Sequence, residues 1–367
     1  MSAVTVLRVP PDGEVSARPM SLILITTDYL QPGDPVDVYL KEHGHETVHA
    51  PLRGRRDRDE LVRLLDGVEG ALIANEPMTA DVLAAAPALK AVVRSGVGYD
   101  SVDVAAASEL GILVSNLPGI NANAVAEFTM GAVLAASRRL VELAAGVAGG
   151  GWPRTDGHEL RGSTLGLIGF GAAARAVVPL ARAFGMTVLC RTAIAPAAIP
   201  PGPGSPAVAS GPGSPAADVE FVDLDTLLSR SDVVSVHTAL TPATRHLIDA
   251  RALSLMKPTA LLVNTARGAI VDENALAAAV RDGVIAGAAL DVCEVEPLPA
   301  GSVLRGVEGI TVYSHMAGQT VEAREAAGRE GAIELVNALA GRPAHRVNDP
   351  SVHRFRVRLD GSAGRTH

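Results

Sequence analysis

A chain of 367 residues, 48% of them hydrophobic, can bury a large core and at ~150 residues per domain divides into about two domains. With 40 acidic and 32 basic side chains the formal charge is −8, which excludes the basic footprint of a nucleic-acid binder and any electrostatic pull toward an acidic membrane surface. Two cysteines, Cys190 and Cys293, are too few for a disulfide framework and do not have zinc-ligand spacing, so a reducing cytoplasm and no metal are expected.

Residues 1–19 mix charge and proline without the apolar run of a secretory signal and read as a disordered leader. Strand candidates follow at 21–25, 46–49, 70–73, 89–93 and 111–114, separated by amphipathic stretches such as 58–65. That alternation predicts an α/β fold, a parallel sheet covered by helices. The segment His43-Gly44-His45-Glu46-Thr47-Val48-His49 has imidazoles at short spacing, but Gly44 reads as a helix C-cap, His45 and Glu46 as turn, and His49 as the end of an exposed strand, so no metal site is assigned.

A long alanine-rich helix over 122–148 leads past Trp152 to the run Leu165-Gly166-Leu167-Ile168-Gly169-Phe170-Gly171-Ala172-Ala173-Ala174-Arg175. The apolar start reads as a buried strand. Gly169 permits a tight turn, Gly171 lets a pyrophosphate reach bare backbone, and Ala174 takes the place of the third glycine where helix meets strand. The helix N-terminus then faces the phosphates. Strands recur at 233–237, 260–264 and 285–292, and Asp272 caps a helix over 273–281 that Gly283 ends. The stretch 192–217 has no charged residue and repeats Gly-Pro-Gly-Ser-Pro-Ala at 202–207 and 211–216. Its prolines rule out a continuous membrane helix, so it reads as a flexible insert, and 351–367 as a disordered tail.

Three motifs follow apolar strands downstream: Asn264-Thr265-Ala266-Arg267-Gly268, Asp291-Val292-Cys293-Glu294-Val295-Glu296-Pro297, and Ser314-His315-Met316-Ala317-Gly318-Gln319-Thr320. Strand carboxyl ends converge on the ligand crevice of an open α/β sheet, so an Arg, a Glu and a His placed there can meet above a nicotinamide. Reduction of a 2-oxo acid needs a fixed cation for the carboxylate, an acid for the forming alkoxide, and a partner that keeps that acid protonated. Each residue alone is more often structural; the ordered set behind a glycine fingerprint points to chemistry. Cys293, within the second motif, reads as a packing residue, since hydride transfer needs no thiol.

Together with Arg94-Ser95-Gly96-Val97-Gly98-Tyr99-Asp100 and Ala126-Glu127-Phe128-Thr129, these motifs make residues 20–348 resemble the D-isomer-specific 2-hydroxyacid dehydrogenases, a family that includes phosphoglycerate dehydrogenase, glyoxylate/hydroxypyruvate reductase and formate dehydrogenase. The resemblance implies two Rossmann-like doubly wound domains: a flavodoxin-like substrate domain from 20–118 and 319–350, and an inserted NAD(P)-binding domain over 119–318. It implies His315 as acid/base, Glu296 as its carboxylate partner and Arg267 as substrate anchor. Ser95, Gly96 and Val97 would join Arg267 in binding the substrate. Cofactor contacts are implied at Gly169, Phe170, Gly171, Ala172, Ala173, Arg191, Thr192, His237, Thr265, Ala266 and Asp291. A homodimer is implied as well.

The chain departs from patterns found within the family in three places. Dinucleotide folds that prefer NAD carry an acid about 20 residues beyond the fingerprint. Here Val188-Leu189-Cys190-Arg191-Thr192 has none, and Arg191 beside a small hydroxyl residue would take a 2′-phosphate, so NADP(H) is expected over NAD(H); the plainer alternative is that Arg191 only stacks on adenine. Where phosphoglycerate-using members carry an Arg-Ser pair, this chain has Ile73-Ala74, and Glu296 stands where formate dehydrogenases carry Gln. A small 2-oxo acid such as glyoxylate, hydroxypyruvate or pyruvate is therefore the expected substrate. The alternatives are a phosphoglycerate dehydrogenase-like activity or a dinucleotide-sensing binding protein resembling the corepressors that share this fold.

Overall fold

The computed structural model describes residues 21–52, 57–193, 219–343 and 345–348. The expected leader, the tail and most of the 192–217 insert lie outside the described residues. The chain forms two compact units, one from residues up to 93, 101–115 and 331 onward, the other from 94–100 and 116–330.

In the first unit β1 (Ser21–Ile25), α1 (Pro35–Glu42), β2 (His45–His49), α2 (Arg58–Leu64), β3 (Gly70–Ile73), α3 (Ala80–Ala84), β4 (Ala91–Arg94), α4 (Val104–Glu109) and β5 (Leu113–Ser115) alternate along the chain. Their strands line up in the order β2-β1-β3-β4-β5, the flavodoxin-like doubly wound arrangement. Successive residues feed opposite faces: Ile23 and Ile25 pack with Leu335 on one side, Leu24 with Leu61 and Leu83 on the other. Strands buried on both faces read as continuous apolar runs, which is why the sequence marked them.

His49 departs from the expected exposed strand end. Its side chain is only 7% exposed, because Nε2 meets Asp37 Oδ1 at 3.2 Å. Burial alone would raise the Asp37 carboxyl, but bonds from Lys41, Thr47, the Gly33 amide and His49 hold it far below the usual range. The group of imidazoles is thus partly spent on a buried carboxylate, and among the described residues no cluster of three or more His, Cys, Asp or Glu could hold a metal.

The second unit contains α5 (Ala122–Ser137), α6 (Leu140–Ala148), β6 (Thr164–Ile168), α7 (Ala172–Ala183), β7 (Thr187–Arg191), β8 (Val219–Phe221), α8 (Leu224–Arg230), β9 (Val233–Val236), α9 (Ala250–Leu255), β10 (Leu261–Asn264), α10 (Glu273–Arg281), β11 (Gly287–Leu290) and β12 (Ile310–Val312). A last helix, α11 (Val321–Leu339), starts in this unit and ends in the first. The strand order is β12-β11-β10-β9-β6-β7-β8, so the winding reverses between β6 and β9. In open α/β sheets ligands bind beyond the strand carboxyl ends at that reversal. The predicted α10 has the expected bounds: Asp272 caps it by accepting from Asn274 and Ala275, and Gly283 follows at φ +69°.

The single helix expected over 122–148 is two helices. Arg139 adopts φ +53°, and the freed Ser137 carbonyl accepts instead from the His158 amide at 2.8 Å. Alanine-rich composition carries no signal of that break, and the amide that meets the Ser137 carbonyl arrives from 21 residues downstream.

Candidate active site

Gly169 follows β6 at φ +103°, and a Cβ there would stand 2.5 Å from the His237 carbonyl oxygen and 2.9 Å from the Thr238 nitrogen. The turn is closed by Gly169 N donating to Arg191 O at 2.8 Å and His237 N donating to Ile168 O at 2.8 Å. These two bonds bring the ends of β6, β7 and β9 together. Gly171 differs: φ is −71°, nothing lies within 4 Å of where its Cβ would be, and as N-cap of α7 it offers no side-chain acceptor to the helix. The first amides of α7, at Ala172 and Ala173, have no partner within the helix, sit at the positive end of its dipole and adjoin that open space at Gly171. That is a cradle for a phosphate, and it fits a dinucleotide. Ala174 is fully buried, as the close helix–strand contact requires.

Around the cradle the predicted contacts divide into those with side chains available and those without. Phe170 is 6% exposed and stacks edge-on against Phe221 at 5.2 Å, so only its backbone is placed for a ligand. His237 bonds Ser235 Oγ through Nε2 at 2.9 Å, and burial pushes its pKa down to about 4, leaving a neutral ring at neutral pH. Thr265 Oγ1 pairs with Thr129 Oγ1 at 3.2 Å, and the Ala266 amide donates to Asn264 Oδ1 at 3.0 Å. Arg191 and Thr192 are both half-buried at the end of β7, with no carboxylate in either position.

The imidazole–carboxylate pair of His315 and Glu296 is assembled by two loops. His315 follows β12 in the left-handed region at φ +59°, and its amide donates to Asp291 O at 2.8 Å. The Asp291 carboxylate, 1% exposed, accepts from the Met316 and Ala317 amides, each at 2.8 Å. Asp291 therefore pins the turn that presents His315, a role its place in the motif did not reveal. His315 Nδ1 then lies 2.7 Å from Glu296 Oε2, while Glu296 Oε1 accepts from the Cys293 amide at 3.0 Å. With both oxygens engaged, the carboxylate has one orientation, and a carboxylate on Nδ1 makes that nitrogen the donor and leaves Nε2 for chemistry. Burial would raise the Glu296 carboxyl, but the His315 hydrogen bond and charge, the Cys293 amide and the Arg267 charge hold it below the usual range. Cys293 itself is packed in the apolar core of this unit, and burial, chiefly, pushes its thiol up to about 12.

Arg267, after β10, sends Nε to Asp100 Oδ1 at 2.8 Å and Nη1 to the Ala266 carbonyl at 2.7 Å. Its Nη2 rests on Gly98, in space that a Cβ at that position would occupy. The loop beneath it is tied down by Asn116 Nδ2 donating to Val97 O at 2.7 Å and Leu117 N donating to Gly96 O at 2.9 Å. Arg267 thus meets this loop at Gly98 and Asp100, just beyond Ser95-Gly96-Val97, and the Gly96 amide donates to the Arg94 carbonyl at 2.7 Å. Sequence reasoning missed Asp100, which quotes itself in the motif but has no partner until the fold brings residue 267 to it.

A cavity of about 660 Å³, lined by Phe128, Leu298, Leu304, Tyr313, Ser314 and Met316 among others, flanks the His315 turn and shares no lining residue with the phosphate cradle.

Residues 130–317 match the family described as D-isomer specific 2-hydroxyacid dehydrogenase, NAD binding domain. A glyoxylate reductase from Thermofilum pendens is 37% identical over 336 residues, 89% of this chain and 93% of that protein. An (S)-sulfolactate dehydrogenase from Chromohalobacter salexigens is 42% identical over 274 residues, 73% and 84% of the two chains. Among solved structures, a glyoxylate reductase from Paecilomyes thermophila superposes with a TM-score of 0.76 at 27% identity, covering 90% of this chain and 99% of that one.

Proposed function

Because the chain belongs to the D-isomer-specific 2-hydroxyacid dehydrogenases, we propose that it interconverts a small 2-oxo acid and its D-2-hydroxy acid, with His315 as acid/base, Glu296 as its partner and Arg267 as the substrate anchor. The observation that carries this reading is the 2.7 Å His315–Glu296 pair, with Arg267 seated on the 95–98 loop. When bound, the nicotinamide supplies or accepts the hydride. His315 donates the Nε2 proton to the substrate carbonyl oxygen as it gains negative charge. Glu296 holds the opposite nitrogen and stabilises the ring while it is charged. The planar, permanently charged fork of Arg267 takes the carboxylate, a geometry that Lys does not reproduce.

The cofactor is a nicotinamide dinucleotide, and NADP(H) is the preferred form in this reading. What supports it is the end of β7, where Arg191 and Thr192 stand in place of an acid that would repel a 2′-phosphate. A panel of glyoxylate, hydroxypyruvate, pyruvate and 3-sulfopyruvate assayed with NADPH and with NADH tests both parts. Turnover of at least one oxo acid, with kcat/KM about tenfold or more higher for NADPH, is the expected result; one decade corresponds to about 1.4 kcal/mol of discrimination. Higher efficiency with NADH overturns the preference. Tight cofactor binding without turnover of any oxo acid favours the dinucleotide-sensing alternative.

A homodimer in the cytoplasm belongs to the same reading. Helix α6 has no buried residue, and Leu140, Val141 and Val147 are about half exposed beside Trp152, which is 78% exposed. An apolar strip of this kind on a water-facing surface is the mark of an interface. Light scattering after gel filtration is expected to give twice the 37.6 kDa chain mass, and Trp152→Glu with Val141→Glu to shift the protein toward the monomer. A monomer at micromolar concentration before substitution contradicts the dimer.

A further inference from the structure

We propose that Asp100 is a positioning residue for the substrate carboxylate: it fixes the roll of the Arg267 guanidinium so that the Nη1/Nη2 end, and not the Nε edge, meets the substrate. The inference rests on the reading of Arg267 as the anchor. A guanidinium can take a carboxylate side-on, through Nε and Nη2, or end-on, through Nη1 and Nη2. Here Asp100 Oδ1 takes the Nε hydrogen at 2.8 Å, which removes the side-on mode; the Ala266 carbonyl takes one of the two Nη1 hydrogens, and the second, with those of Nη2, remains for an end-on carboxylate. The Ala266 carbonyl on Nη1 and the bare α-carbon of Gly98 under Nη2 complete a three-point seat.

Two positions of one short loop, Gly98 and Asp100, are thus both spent on one side chain that arrives from residue 267. The same loop carries the amides of Gly96 and Val97. Its ties to Val97 O and Gly96 O come from Asn116 and Leu117, so the loop has fixings of its own and does not depend on the Asp100 contact. Arg267 is 26% exposed, with a long flexible stem, and without Asp100 it would sample many rotamers, diluting the competent one. The carboxylate is available throughout the neutral range: burial would raise it, but the Arg267 charge and hydrogen bond, with the Arg94 charge, keep it below its ordinary value.

The test uses Asp100→Ala and Asp100→Asn in the full chain. Five quantities are read: KM and kcat for the best 2-oxo acid, NAD(P)H affinity by fluorescence, oxamate affinity in the presence of cofactor by calorimetry, and the thermal midpoint. Asp100→Ala is expected to raise KM and the oxamate Kd about tenfold or more, with a smaller fall in kcat and cofactor affinity within about twofold, since misplacement of an anchor by about 1 Å already carries penalties on that scale. Asp100→Asn, which retains an oxygen for Nε–H, is expected to recover part of the loss. Unchanged KM and oxamate affinity in Asp100→Ala overturn the assignment while leaving the reductase reading intact. A parallel loss of cofactor affinity and thermal midpoint overturns it in favour of a plain structural clip. If the unsubstituted protein neither turns over an oxo acid nor binds oxamate, the anchor role of Arg267 falls, and that of Asp100 with it.

Discussion

Replacing His315 with Asn lowers kcat for 2-oxo acid reduction by about 10²–10⁴-fold, the usual contribution of a positioned general acid, while NAD(P)H affinity stays within about twofold. Asn is the informative substitution because position 315 sits at φ +59°, where Asn is tolerated better than Ala, so backbone strain does not mask the chemical loss. The turn itself survives: its bonds run from the backbone amides of 315, 316 and 317 to Asp291, none through the imidazole. What disappears is the proton on Nε2 and the charge that Glu296 would stabilise. Single-turnover measurements at saturating cofactor separate this loss from product release. Retention of more than a tenth of the normal rate would remove His315 from the reaction.

The two fingerprint glycines are expected to fail in different ways. At Gly169 both the φ of +103° and the backbone atoms within 3 Å oppose any side chain, so Gly169→Ala must displace the His237–Thr238 backbone or the turn. Residues forced into such regions cost about 1–3 kcal/mol each, and the ends of three strands move with this one. A thermal midpoint lower by several degrees and cofactor affinity reduced by about 100-fold or more are the expected outcome. Gly171 has ordinary backbone and empty space, so Gly171→Val costs only the poorer N-cap, about 1 kcal/mol, and lowers the midpoint by about 2–4 °C. It still weakens NAD(P)H binding by about tenfold or more, because the methyls fill the room a phosphate needs over the α7 amides. Equal behaviour of the two variants, in stability and in affinity, would contradict the division of labour drawn from the geometry.

Much of this architecture could be read from local sequence. Strands buried on both faces, such as Val233–Val236, announce themselves as apolar runs, and Asp272 and Gly283 bracket α10 by capping chemistry that operates within four residues. His315, Glu296 and Arg267 were legible because each follows a strand, at the end where a doubly wound sheet collects its ligands. Other features were not legible, for one common reason: their cause lies far along the chain. The break at Arg139 depends on the loop at His158, the burial of His49 on Asp37, and the seat of Arg267 on a carboxylate 167 residues earlier. Asp291 belongs to a recognised motif, yet its pinning of the His315 turn appears only once β11 and β12 lie side by side. The three-residue strands β8 and β12 each set a polar residue between two apolar ones, Val219-Glu220-Phe221 and Ile310-Thr311-Val312, and so lack the apolar run that marks the equally short β5.

One chain is expected to hold a dinucleotide at the Gly169–Gly171 turn and to reduce a 2-oxo acid with the His315–Glu296 pair. The most direct test is to mix purified protein with NADPH and hydroxypyruvate, follow the loss of reduced cofactor, and resolve the product on a chiral column. One D-2-hydroxy acid is expected for each cofactor oxidised. Product of the L configuration, or saturable cofactor binding with no oxidation by hydroxypyruvate, glyoxylate or pyruvate, would contradict that expectation.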